Sequence, residues 1–185
     1  MTRAVFAFAA TLILSAPVAA QQLDGCSVTP DEYETIVAPL LDGDWTGTNG
    51  AGYISGPQMN MPLPPSGAEA VTITYNDDGT IFAAGGDWQA IETRVVNEAM
   101  AGDFGITLAD DPNLQTRMDF DNLGVAVNCS TDLLPLVSFR GDAVMEGEQI
   151  QFEALLYMVN EDLLSGIFHM EFMGHAARRF VTLSR

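Results

Sequence analysis

The chain has 185 residues, 48% of them hydrophobic, with 25 acidic and 7 basic side chains that leave a formal charge of −18. All seven basic residues are arginines, and so acidic a surface repels phosphate backbones and anionic headgroups, which excludes nucleic-acid and membrane-surface binding. The length suits one domain with a sizeable core rather than several.

The N-terminus predicts a secretory signal over residues 1–20. Arg3 supplies its positive end, Val5 to Leu14 are apolar apart from Thr11, and Ser15 and Pro17 break the run. Val18-Ala19-Ala20 then places small residues before a cleavage that leaves Gln21 first. A membrane anchor needs about 20 apolar residues, about twice what this segment offers. A lipidated chain would need a cysteine directly after the cut, whereas Cys26 lies six residues beyond Ala20. The expectation is an exported protein, periplasmic or extracellular in a bacterial setting, with 21–185 forming a single domain. In such a compartment Cys26 and Cys129 are expected to form a disulfide, closing a loop of about 100 residues.

Thr29-Pro30-Asp31-Glu32 is a helix start: Thr29 caps, Pro30 fits the first turn and Glu32 completes a capping box. Tyr33, Ile36, Val37, Leu40 and Leu41 recur at helical spacing, predicting a short amphipathic helix over about 30–41. From Asp44 the period becomes two. A first strand is expected from Asp44 to about Ile54. The four prolines between Ser55 and Gly67 (Pro57, Pro62, Pro64, Pro65) predict a long surface loop. Val71, Ile73 and Tyr75 then alternate with threonines, and Asn76-Asp77-Asp78-Gly79 predicts a hairpin into Thr80 to Ala84. Trp88 to Val96 reads as a further strand, and 97–128 carry no legible pattern. Four strands close the chain, over Leu136–Met145, Gln149–Val159, Leu163–Met173 and Arg178–Leu183. Within them Ile150, Phe152, Ala154, Leu156 and Met158 share one face, as do Leu164, Gly166, Phe168, Met170 and Phe172. The fold class is therefore mainly β: an antiparallel up-and-down meander of roughly eight strands behind one short helix, closing into a barrel that removes exposed edges.

Gly43-Asp44-Trp45 at the first strand and the late basic pair Arg178 and Arg179 resemble the lipocalin and calycin-like barrels. The resemblance implies that Trp45 plugs one end of the barrel with Arg178 or Arg179 packed across it. It further implies an apolar cavity at the other end for a small hydrophobic ligand, lined by Trp88, Phe152, Met158, Phe168, Met170 and Phe172. The Trp88 strand and Met59-Asn60-Met61 would frame its mouth. Methionine adapts to irregular partners, but small barrels are also commonly filled by such side chains. The opposing expectation is thus an accessory or structural protein with a solid interior.

His169-Met170-Glu171-Phe172-Met173-Gly174-His175 raises a third possibility. On an unbroken strand His169, Glu171, Met173 and His175 would share a face, a donor set suited to copper, to which Met59 and Met61 could add thioethers. Gly174 argues for a turn that separates them, and no metal or cofactor is expected. No Gly-x-Ser-x-Gly elbow or alternating calcium loop occurs, and Asp77-Asp78 and Asp110-Asp111 read as turns. A binding protein is expected rather than an enzyme.

Overall fold

The computed structural model describes residues 26, 28–57, 59–85, 88–97, 130–145 and 147–185. The signal segment, Cys129 and the illegible 97–128 stretch from Glu98 onward lie outside them.

The capping chemistry at Thr29 works as its residue types dictate. The Glu32 carboxylate accepts from the Thr29 backbone N–H at 2.9 Å and from its hydroxyl at 2.7 Å. These bonds hold the Glu32 pKa below its ordinary range. The helix is composite: a 3₁₀ turn over Pro30–Glu32, a π turn over Tyr33–Val37 and an α turn over Ala38–Leu40. Pro39 has no N–H and its ring crowds the carbonyl four residues back, which a regular α register would place at Thr35. The widened turn, with the Ala38 N–H reaching the Tyr33 carbonyl, precedes that proline. Tyr33, Val37, Ala38 and Leu41 are buried, while Ile36 is exposed.

Nine strands follow among the described residues: β1 Gly43–Gly56, β2 Met59–Leu63, β3 Ala68–Tyr75, β4 Ile81–Gly85, β5 Trp88–Val96, β6 Leu136–Met145, β7 Glu148–Asn160, β8 Leu163–Phe172 and β9 His175–Ser184. Sequential antiparallel pairing from β3 to β9, with β1 joined to both β3 and β9, closes an eight-stranded barrel. Strand β2 is an addition to it. It pairs with the far half of β1, from Gly52↔Leu63 to Gly56↔Met59. The proline-dense stretch is thus not wholly loop. Pro62 sits in β2 opposite Tyr53, tolerated because among the described residues β2 ends the sheet order and its other edge makes no ladder bonds.

The predicted hairpin at Asn76–Gly79 is present. Gly79 adopts φ +83, and Asp78 accepts from the Thr80 N–H at 3.0 Å and its hydroxyl at 2.6 Å. The last turn is tighter than the sequence suggests. Met173 (φ 47) and Gly174 (φ 76) make it alone, and β9 begins at His175.

The inward faces of the strands pack as one cluster containing Trp45, Val71, Ile73, Ile91, Phe139, Phe152, Leu156, Met158, Leu164 and Leu183, closed at one end by Tyr33, Val37 and Leu41. A second cluster lies on the outward face. Leu155, Tyr157 and Ile167 are at most 2% exposed and pack with Val96, Leu134 and Leu136, with Tyr53, Phe180 and Cys26 against them. Cys26 is disulfide-bonded.

Candidate ligand site at the open rim

The two ends of the barrel differ. At the helix end the Trp45 Nε1–H donates to the Leu41 carbonyl at 2.9 Å in a buried site. The guanidinium of Arg185 lies 4.2 Å from the Trp45 ring centre and donates to the carbonyls of Leu40 at 2.7 Å and Asp42 at 2.8 Å. This is the plug that Gly43-Asp44-Trp45 implies, but its arginine is Arg185 rather than Arg178 or Arg179. The reason is register: Thr46 pairs with Ser184, so only the last residue of the chain reaches Trp45, whereas Arg178 and Arg179 pair with Tyr53 and Gly52 in the far half of β1.

Arg179 takes a different role on the inward face, opposite Phe168. Its Nη2 donates to the carbonyls of Gly50 and Pro64, each at 3.0 Å, fastening the irregular middle of β1 to the turn after β2. Burial pushes its pKa down, partly offset by the charge of Glu69. Arg178 faces outward in a row that crosses five strands with alternating character: Glu92, Arg140, Glu153, His169, Arg178. Arg140 and Glu153 form an ion pair at 2.7 Å. The Arg178 Nε–H donates to His169 Nδ1 at 3.1 Å, which assigns the ring proton to Nε2, 3.3 Å from Glu171 Oε1.

That network also removes the shared strand face that the copper reading required. His169 and Glu171 face outward and bond each other, Met173 is 70% exposed in the turn, and His175 starts the next strand opposite Phe172. The unbroken strand required for a shared face does not exist. Among the described residues no three His, Cys, Asp or Glu side chains gather as a metal site.

The expected ligand lining divides as well. Met158 is fully buried and Phe152 nearly so. Phe168 packs against the same core and stacks on Phe152 at 5.8 Å between ring centres, and Met170 joins them. Met158 and Phe152 are thus core residues, while Phe168 and Met170, on the same inward face, are only partly buried. Trp88 opens β5 opposite Gly85, and its side chain lies outside the described set. Of the five whose side chains are described, Phe172 alone lines the groove at the rim.

That space is a groove of about 750 Å³ over the rim opposite the helix, lined from the β1–β2 turn (Ser55, Gly56, Pro57), the β8–β9 turn (Phe172 to Ala176), Gln151 and Glu171. Gln151, Glu171, Ala176 and Ser55 occupy one register row on the outer face. The groove therefore wraps from the outer wall onto the rim instead of descending into the lumen. His175 and Phe172 meet there with ring centres 5.8 Å apart. Gly56 makes room for the His175 ring, since a Cβ at that position would collide with Nδ1. His175 Nδ1 is buried and has no hydrogen-bond partner among the described residues.

Sequence reasoning singled out Phe172 and His175 but missed Gly56, Gln151 and Ser55, which no spacing distinguishes from ordinary strand-end residues. It also missed the outer apolar cluster. The signal for that was present in the unalternating run Ala154 to Val159, which marks a strand buried on both faces.

A closed antiparallel barrel of eight strands entered by a short helix, with a tryptophan and an arginine across the helix end, has a calycin-like layout. No known family, curated protein or solved structure matched the chain.

Proposed function

We propose that this is an exported binding protein that holds a small molecule in the groove at its open rim. The observation that carries the reading is the groove itself. Its volume exceeds the roughly 300 Å³ at which ligand pockets begin, and its wall sets the Phe172 ring and the apolar Pro57, Met173 and Ala176 beside the polar Gln151 and Glu171. Export rests on the 1–20 segment, with a mature chain beginning at Gln21 and a Cys26–Cys129 bridge.

The apolar core on the barrel's inward faces supports a second reading, an accessory protein whose barrel is purely a scaffold. Native mass spectrometry of the protein recovered from the exported fraction of its own cells separates the two. A stoichiometric organic adduct, lost on replacing Phe172 and His175, supports binding at the rim. A bare mass for the mature chain, less only two protons for the disulfide, favours the scaffold and refutes the binding reading.

A further inference from the structure

Resting on the groove being the binding site, we infer that its occupant is an organic cation: a body with apolar surface carrying one ammonium or similar group. The formally charged side chain in the groove's wall is Glu171, a carboxylate. Its position is fixed by a contact with His169 Nε2, and His169 is itself held by Arg178. Glu171 is mostly exposed and has acceptor capacity left over, since a carboxylate offers two oxygens and about four lone-pair sites. Neither Arg178 nor Arg179 borders the groove, and each is engaged elsewhere, Arg178 by His169 and Arg179 by two main-chain carbonyls.

The remainder of the wall suits a cation's organic part. Phe172 offers a ring face of the kind that attracts ammonium groups, and Pro57, Met173 and Ala176 add apolar surface beside it. Gln151 stands directly across the register from Glu171 and contributes an amide oxygen. The chain's charge of −18 draws cations towards it and repels organic anions, an effect that salt weakens. A molecule laid over the rim would place its charge by Glu171 on the outer row and its body against Phe172 and Met173.

The test uses three probes of one shape: benzyltrimethylammonium, neutral benzyl alcohol and anionic benzoate. Each is titrated into the mature protein and followed through amide NMR shifts. The expected result is saturable shifts at 55–56 and 171–176 with the cation, in roughly the millimolar range, weakened about three- to tenfold by Glu171→Gln and by added salt. Benzoate should leave these signals in place. Benzyl alcohol or benzoate binding as tightly as the cation, or an unchanged affinity in Glu171→Gln, overturns the cation inference while the groove remains a site. No shift in the groove with any of the three overturns both readings.

Discussion

Arg185→Ala tests the plug at the helix end most directly, because the loss can be worked from named contacts. The change removes two charge-assisted bonds to the carbonyls of Leu40 and Asp42 and the guanidinium stacked on Trp45. Both carbonyls stay within reach of water, so each bond is worth about 1 kcal/mol net. The ring contact adds about 0.5–1 kcal/mol at a site this open. A total near 2–3 kcal/mol is expected, lowering the melting temperature of a domain this size by about 4–12 °C. Trp45→Phe should cost about 1–3 kcal/mol through the buried Leu41 carbonyl, which loses the indole N–H that bonds it. Urea unfolding followed by far-ultraviolet circular dichroism measures both variants and their combination, without the guanidinium that would compete for the ring. The double-mutant cycle should return a coupling of about 0.3–0.5 kcal/mol, a part of the ring contact, because phenylalanine attracts the cation less well. A coupling of zero, or an Arg185→Ala protein as stable as the parent, refutes the assignment of Arg185 to the plug.

Gly166→Ala places a Cβ against the Leu155 carbonyl and 2.7 Å from the Leu156 Cα, main-chain atoms that cannot move aside. It should cost about 3 kcal/mol or more or prevent soluble expression, and a midpoint in urea equal to the parent's contradicts the β7–β8 register. Tyr33 has its pKa raised by burial. Its contribution is therefore complete below the unfolded phenol's pKa of about 10 and is lost as pH rises past it. Tyr33→Phe should flatten the alkaline limb of the stability–pH curve, and an unchanged limb counts against the burial. Cys26→Ser should lower stability by about 2–5 kcal/mol, and the intact mature protein should take up no alkylating reagent until reduced. Alkylation at Cys129 without reduction would disprove the bridge.

The hairpin at Asn76–Gly79, the capped helix start and the inward faces of β7 and β8 were legible because each is set by local chemistry. Turn residues with special φ, a Thr–Glu cap and a period of two act over fewer than a dozen residues. The proline-rich stretch misled for the complementary reason. Proline forbids a central strand, and only the sheet order reveals that β2 lies at an end among the described strands, where Pro62 withholds a bond that none of them needs. The copper face failed likewise, since Met173 joined Gly174 in the left-handed region and turned His175 onto the next strand.

A mainly β chain, every described strand but β2, and the apolar faces of β7 and β8 were written in the residues, because side-chain alternation and turn chemistry are properties of neighbouring residues. Long-range pairing alone set which arginine meets Trp45 and that open space lies across the rim. Those outcomes follow from the register between β1 and β9, strands more than a hundred residues apart, which pairs Thr46 with Ser184 and brings Gly56 against His175. A one-residue slip there would send every side chain to the opposite face, and nothing local in either strand specifies it.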